Sequence, residues 1–177
     1  MEAERALDLR RYIRDVADFP RKGLLFKDLA PLLSSPAALA DCVRQLAALT
    51  PRLDAVVAVE SRGFIFGTGL ALEWGVPLVP ARKFGKMPGR TVREQYSLEY
   101  GEDVLELQAD ALRPGQRVVV VDDLLATGST AAATVRLVEQ LGARVEVLLF
   151  VIEVAGRGGR EKLAGRTVRT LIRYETG

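Results

Sequence analysis

The chain has 177 residues, of which 49% are hydrophobic and 27% charged, a composition typical of one globular domain with a substantial core. Its net charge of +2 at pH 7 gives no argument for a nucleic-acid or membrane partner, and it permits a ligand of modest negative charge. The absence of histidine and the single cysteine, Cys42, exclude Ser-His-Asp and Cys-His catalytic sites, histidine metal sites, an internal disulfide and a cysteine zinc cluster.

The first part of the chain shows two helical patterns. Residues 4–16 and 36–49 are predicted to be helices, the second opened by Ser35 as its cap and by proline at its first position. Cys42 recurs with apolar residues at helical spacing, which favours a buried structural thiol over a nucleophile. No apolar run reaches about 18 residues and the amino terminus lacks the apolar segment of a secretory signal, so we expect a cytoplasmic protein.

The middle of the chain alternates strands and helices up to an irregular segment. Residues 54–60 are predicted to be a buried strand, 64–75 a helix ending at Gly75, and 76–82 a second strand. Residues 83–102 contain four basic residues, three glycines and a proline, without clean periodicity. Because long irregular segments in compact domains are usually functional, we interpret this one as a lid that closes over substrate; a disordered surface loop is the alternative.

The remaining elements complete an alternating pattern. Residues 104–110 are predicted to be an antiparallel strand and the valine-rich run 117–121 a buried strand. A helix is predicted at 130–141 and another buried strand at 145–154, and residues 166–175 alternate as an edge strand does. Strands that alternate with helices indicate a mostly parallel sheet covered on both faces.

Two adjacent aspartates follow the valine run, directly before the loop LLATGST and a helix. Ligands of open α/β sheets bind outside the carboxyl ends of the strands, and the free amides of a loop and helix start bind anions. We therefore interpret Asp122 and Asp123 as acceptors for two vicinal hydroxyls of a ribose whose 5′-phosphate lies in the loop. The predicted phosphate loop comprises Ala126, Thr127, Gly128, Ser129 and Thr130. A plain helix cap is the alternative for the loop, but it does not explain two neighbouring acids.

Other families that combine acids with small residues are excluded by spacing. A Walker loop needs a lysine after the glycine, and none stands here. Aspartyl-phosphate hydrolases begin with two aspartates separated by one residue, whereas Asp122 and Asp123 are adjacent. Receiver domains need a further aspartate downstream, and none follows Asp123.

A second strand–loop–helix unit, VAVESRGFIFG, offers another anion site. The loop amides around Ser61 and the guanidinium of Arg62 could bind a diphosphate, and a surface ion pair is the alternative for Arg62. A dinucleotide fingerprint is excluded, because GTGLAL at 67–72 lacks the final glycine and follows the wrong element.

The stretch VVVVDDLLATGST resembles the 5-phosphoribosyl 1-diphosphate (PRPP) binding motif of the type I phosphoribosyltransferase family, and DDLLATG is most similar to its adenine-using members. Four more stretches match in order: DFPRKGLLFKDLAPLL, ESRGFIFG, RKFGKMPG and YSLEYG. The resemblance implies one domain over residues 1–177, with a mostly parallel twisted sheet flanked by helices, a small base-binding hood at 1–35 and a flexible lid loop at 83–102. It also implies a homodimer that transfers 5-phosphoribose from PRPP to adenine, giving AMP and pyrophosphate, with Mg²⁺ as cofactor.

The resemblance also implies roles for individual residues. The catalytic residues it implies are Asp122, Asp123, Glu99 and Tyr100; the pyrophosphate-binding residues are Ser61, Arg62, Arg82, Lys83 and Lys86; the base-binding residues are Leu25, Phe26, Lys27 and Leu124. Family members commonly have arginine at position 27, and lysine lacks the planar fork needed for a bidentate contact. Mg²⁺ would be carried by PRPP, without a direct protein ligand, and would reach the two aspartates through water. The same reaction on hypoxanthine, guanine or xanthine, and a non-catalytic purine-nucleotide sensor, are the alternatives.

Overall fold

The computed structural model describes residues 6–97 and 101–175 and contains a two-stranded hairpin, a seven-stranded sheet and five α-helices within those ranges. The hairpin strands are β1 (Arg14–Ala17) and β2 (Leu25–Asp28); the sheet strands are β3 (Ala55–Val59), β4 (Leu78–Lys83), β5 (Thr91–Ser97), β6 (Glu102–Gln108), β7 (Arg117–Leu125), β8 (Arg144–Val154) and β9 (Val168–Tyr174). The helices are α1 (Ala30–Leu33), α2 (Pro36–Ala48), α3 (Gly63–Trp74), α4 (Ser129–Gln140) and α5 (Gly159–Lys162), and a 3₁₀ turn spans Leu9–Tyr12.

The large sheet is mostly parallel. Its strand order is β5-β6-β4-β3-β7-β8-β9, in which the five strands from β4 to β9 are parallel and β5 and β6 run antiparallel at one edge. This confirms the predicted architecture, including the antiparallel strand after the irregular segment. Every residue of β3 is buried, as a central strand covered on both faces requires.

The valine run of β7 supplies both hydrophobic cores, one on each face of the sheet. Val118 and Val120 pack into the core that α4 covers, whereas Val119 and Val121 pack into the core under α2 and α3. Successive side chains of a strand point to opposite faces, so four consecutive valines satisfy both cores at once. The strand is thereby held rigidly up to the two aspartates that follow.

The helices over the two faces begin and end close to their predicted limits. Ser35 accepts a hydrogen bond from the Ala38 amide at 3.3 Å and so caps α2, and α3 ends at Gly75 in the left-handed conformation. Cys42 is fully buried in α2, and this burial raises the pKa of its thiol to about 12. The prediction of a buried structural thiol is confirmed. None of the helices in the described part of the chain combines the length and apolar character needed to span a bilayer.

The predicted helix at 4–16 is wrong over the residues that the structure describes. Residues 9–12 form only a 3₁₀ turn, and Arg14–Ala17 is a strand that pairs antiparallel with β2. Two ion pairs cross this hairpin: Arg14 contacts Asp28 at 2.5 Å and Lys27 contacts Asp15 at 2.7 Å. These contacts come from residues about a dozen positions away, and they outweigh the local helical periodicity.

The irregular segment predicted at 83–102 is wrong for Thr91–Ser97, which forms edge strand β5 along β6. Its inward-facing positions include Val92 and Tyr96, but the position between them is the charged residue Glu94. Arg136 and Gln140 of α4 bind that carboxylate at 2.5 and 3.0 Å. The charged Glu94 interrupts the alternation of apolar and polar residues that would have predicted a strand. Its carboxylate is tolerated on the inward face because side chains of α4 bind it.

Candidate active site

A cleft of about 490 Å³ opens at the carboxyl ends of β3, β4 and β7. It is lined by Glu60, Ser61, Arg62, Lys83, Lys86, Tyr96, Asp103, Asp122, Asp123 and Thr130. The structure therefore brings together both predicted aspartates and most of the predicted pyrophosphate-binding residues. The loops that carry them follow strands of the parallel part of the sheet, which explains why positions far apart in sequence meet here.

The acidic pair is tightly enclosed. Asp122 is half-buried and Asp123 is 5% exposed, and the Asp123 amide donates to Asp122 Oδ1 at 2.8 Å. Arg62 Nε lies 2.9 Å from Asp123 Oδ2 but is not aligned to donate to it, so within the described residues this buried oxygen has no hydrogen-bond partner. Asp123 lines the cleft, so its carboxylate is placed to accept a bond from a ligand.

The electrostatics of the pair favour a ligand that donates hydrogen bonds. Burial raises the pKa of Asp122 well above its ordinary value, and the negative charge of Asp123 raises it further. Burial also raises the pKa of Asp123, against the opposing effect of Arg62. Two hydroxyl donors, or a cation, placed against these carboxylates would relieve the cost of holding both as anions.

Gly63, the first residue of α3, sets the spacing between the two loops of the cleft. A Cβ atom at this position would lie 2.8 Å from the Val121 carbonyl oxygen and 2.9 Å from Asp122 Oδ1. Only glycine permits the start of α3 to come so close to β7. The Ser61–Arg62 loop is thereby held directly beside the acidic pair.

The predicted pyrophosphate cations all have carboxylate partners. Glu60 Oε1 lies 3.1 Å from Lys86 Nζ and 3.5 Å from an Arg82 nitrogen, and Glu60 Oε2 accepts from the Lys83 amide at 2.8 Å. Lys83 Nζ in turn lies 3.1 Å from Asp103 Oδ2. Burial acts to raise the pKa of Glu60, but the bonds from Lys83 and Lys86 outweigh it and hold that pKa below its ordinary value.

The predicted phosphate loop forms a smaller cavity of about 120 Å³ that adjoins the cleft. Its lining includes residues 126–130, together with Leu124 and Asp122. Gly128 adopts a positive φ of 73° directly before α4, and a Cβ there would lie 2.8 Å from the Gly159 carbonyl oxygen. Asp122 and Thr130 line both cavities, so one ligand can contact the acidic pair and the loop together.

The predicted base-binding residues occupy two environments. The Phe26 ring centroid lies 5.3 Å from Arg62 Cζ, which brings the hood to the side of the cleft, and Leu25 is 56% exposed. Lys27, by contrast, binds Asp15 and lies 3.9 Å from the centre of the Tyr174 ring, so β9 and the hood hairpin hold its ammonium group. The predicted catalytic residues Glu99 and Tyr100 lie outside the described residues.

Four further residues of the site were not predicted: Glu60, Tyr96, Asp103 and Lys162. Glu60 had a usable signal, because it ends β3 just as the aspartate pair stands at the end of the valine run. Lys162 Nζ donates to Ser129 Oγ of the phosphate loop at 2.8 Å, across 33 positions of sequence. No local pattern indicates such a contact.

Comparison with known proteins places the chain among phosphoribosyltransferases. The family model described as phosphoribosyl transferase domain matches residues 32–171. The adenine phosphoribosyltransferase of Carboxydothermus hydrogenoformans is 51% identical over 170 residues, which cover 95% of this chain and 100% of that protein.

Solved structures agree with the sequence relatives. The adenine phosphoribosyltransferase of Thermoanaerobacter pseudethanolicus superposes with a TM-score of 0.91 at 46% identity, over 94% of this chain and 98% of that one. The Saccharomyces cerevisiae enzyme, complexed with an imino-altritol bisphosphate and adenine, superposes with a TM-score of 0.88 at 39% identity, over 93% and 96%.

Proposed function

Since the chain belongs to the adenine phosphoribosyltransferases of the phosphoribosyl transferase domain family, we propose that it transfers 5-phosphoribose from PRPP to adenine, giving AMP and pyrophosphate. The observation that carries this function is that the acidic cleft and the phosphate-loop cavity share two lining residues, Asp122 and Thr130. A sugar phosphate is the ligand that needs hydroxyl acceptors and an anion site side by side.

The ribose binds between the aspartates and the loop. Asp122 and Asp123 accept hydrogen bonds from the 2′- and 3′-hydroxyls, which supplies the orphaned Asp123 Oδ2 with a donor. The backbone amides of residues 126–130 and the start of α4 bind the 5′-phosphate, where the positive end of the helix adds roughly 0.3–1 kcal/mol. The sugar is thus held at both ends while its anomeric carbon stays free to react.

The diphosphate binds on the opposite side of the ribose. Ser61 and Arg62 contact it from the loop after β3, and Arg82, Lys83 and Lys86 contact it from the segment that ends β4. In the structure Glu60 pairs with Arg82 and Lys86, and Asp103 pairs with Lys83. Binding therefore exchanges carboxylates for phosphate oxygens, which carry more charge and accept more bonds.

Mg²⁺ enters with the substrate. Within residues 6–97 and 101–175 no cluster of three or more acidic or sulfur side chains is placed to hold a metal ion. Two adjacent carboxylates with one orphaned oxygen fit an ion that keeps most of its water and binds substrate phosphates. Asp122 and Asp123 would face that ion through water, and its charge would neutralise the diphosphate.

The reaction is a displacement at the anomeric carbon. N9 of adenine forms the new bond to C1′ as the bond from C1′ to the diphosphate oxygen breaks, and its electron pair leaves with pyrophosphate. Positive charge develops on the ribose ring, as in glycoside chemistry, and the aspartate pair stabilises it. By resemblance to the family's LEYG stretch, Glu99 takes the ring proton of adenine and Tyr100 acts on the reacting base and ribose.

The hood and lid complete the site. Leu25, Phe26 and Leu124 form apolar walls for the two faces of the purine, and backbone groups of Leu25 read its polar edge. Lys27 sets the position of the hood through Asp15 and Tyr174. Of the proposed lid at 83–102, residues 84–90 connect β4 to β5 and are the part that closes over the site and excludes water that would hydrolyse PRPP.

We further propose that the chain works as a cytoplasmic homodimer. Ile65 and Leu72 lie seven positions apart on one face of α3, and they are 39% and 78% exposed. A second copy would cover this apolar face. Light scattering at micromolar concentration tests the assembly, and a monomer mass would contradict it.

One assay tests the function. The chain is incubated with PRPP, Mg²⁺ and radiolabelled adenine, and AMP and pyrophosphate are measured. We expect both products, loss of activity when Mg²⁺ is chelated, and much slower reaction with hypoxanthine, guanine or xanthine. A faster reaction with another purine would reassign the substrate. Failure to release pyrophosphate with any purine would point to a nucleotide sensor.

A further inference from the structure

The phosphate loop rests on a short segment that none of the recognised motifs includes. This segment is α5, and Gly159 at its start is packed so tightly that a Cβ would lie 2.3 Å from the Ala126 carbonyl oxygen. On the loop side, a Cβ at Gly128 would lie 2.8 Å from the Gly159 carbonyl oxygen. Two glycines face to face let the two backbones touch, so the position of α5 determines the position of the loop.

The segment is itself anchored to the sheet. Arg160 donates to both oxygens of Glu153 at 2.8 and 2.7 Å, and Thr170 Oγ1 donates to the same carboxylate at 3.1 Å. Glu153 is 2% exposed, and its bond with Arg160 holds its pKa below the ordinary value. A bidentate pair of this kind restricts both side chains, so α5 is a rigid support.

Lys162 is the residue through which α5 reaches the side chains of the loop. Its ammonium group donates to Ser129 Oγ at 2.8 Å, and Ser129 is 7% exposed. A serine hydroxyl has one proton to donate and two lone pairs to accept with. Since one lone pair accepts from the ammonium group, the hydroxyl proton cannot be donated to Lys162 and is available for a ligand oxygen in the loop cavity that Ser129 lines.

We propose that Lys162 is a positioning residue for the 5′-phosphate: it fixes Ser129 as a hydrogen-bond donor to the phosphate oxygens of PRPP and AMP. This inference rests on the proposed function and adds to it a residue from outside the loop. The adjacent positive charge also polarises the hydroxyl, which strengthens the bond it donates. Lys162 thus selects for a phosphate in the loop and acts on it through Ser129.

Binding of AMP and of adenosine separates this role from a structural one. We expect Lys162→Met to weaken AMP binding about fivefold, the effect of one net hydrogen bond, and to leave adenosine binding unchanged. Lys162→Arg, which keeps a charged donor, is expected to restore most of the affinity. Arg166→Met is the matched control: it removes one positive charge four residues away, where the Arg166 guanidinium pairs with the exposed Glu139.

A double-mutant cycle tests whether Lys162 acts through Ser129. In the Ser129→Ala background, Lys162→Met is expected to weaken AMP binding by less than about twofold, because the two changes remove the same interaction. An undiminished effect in that background, wild-type affinity in Lys162→Met, or an equal loss for adenosine would each overturn the inference. Thermal unfolding of every variant identifies any loss of fold. If Lys162→Met does not fold, the AMP affinity of Lys162→Arg decides: affinity near wild type supports the inference and a large loss overturns it. If the wild-type chain binds AMP but does not form it, the proposed function fails while this comparison still decides Lys162.

Discussion

Substitution of Gly63 by alanine tests whether the spacing between the two loops controls catalysis. The added methyl carbon would lie 2.8 Å from the Val121 carbonyl oxygen and 2.9 Å from Asp122 Oδ1, and ordinary contacts need about 3.5 Å. Helix α3 and strand β7 must therefore separate by about 0.7 Å, because the Val121 carbonyl oxygen belongs to the backbone and cannot rotate away. Displacements of this size within a site cost on the order of 10-fold to 100-fold in rate.

The assay is kcat/KM for PRPP together with the unfolding temperature. Gly75→Ala is the matched control at the other end of α3: Gly75 has a φ of +60° and nothing within 4 Å of a Cβ, so the change strains the backbone without moving the site. We expect the control to lower the unfolding temperature and keep kcat/KM near wild type, whereas Gly63→Ala lowers both. A Gly63→Ala variant with wild-type kcat/KM would refute the reasoning.

Two substitutions in the acidic pair test the site, and a labelling experiment on Cys42 tests the core. Asp123→Asn should lower turnover on the order of 100-fold while the unfolding temperature stays the same or rises, since burial makes the Asp123 anion costly; unchanged turnover would defeat the ribose-binding role. Because the pKa of Asp122 is raised and the anion is the binding form, kcat/KM for PRPP should fall as pH is lowered through that pKa, and Asp122→Asn should move this acidic limb to lower pH. An unmoved limb would assign it to another group. Cys42 should resist an aromatic disulfide reagent at pH 8 until the chain unfolds, since it is buried with a pKa of about 12; rapid labelling of the folded chain would contradict its burial.

The parts of the fold that were predicted correctly depend on local chemistry. Ser35 followed by proline marks the start of α2, Gly75 marks the end of α3, and four consecutive valines fit only a strand buried on both faces. Each of these signals lies within a few residues of the structure it determines. The same holds for the acidic pair and the phosphate loop, which are contiguous in sequence.

The parts that were predicted wrongly depend on distant partners. Arg14 and Asp15 belong to a helical pattern until Asp28 and Lys27 pair with them across the hairpin. Glu94 breaks the sequence pattern expected of strand β5, and its charge is tolerated there because Arg136 of α4 pairs with it. Lys162 joins the phosphate loop only because Glu153 and Arg160 hold α5 in place. Residue type alone could not reveal any of these partners.

The carboxylates of Glu60 and Asp103 make anion binding in the cleft depend on the charge of the ligand. Lys83, Lys86 and Arg82 already have internal counter-ions, so an incoming anion must displace a carboxylate before it gains a cation. A singly charged species merely replaces one negative group by another and gains little. A diphosphate engages several of these cations in the same event, and the displaced acids are then free to turn toward solvent. The ion pairs that neutralise these cations thus favour an anion of several charges over a singly charged one.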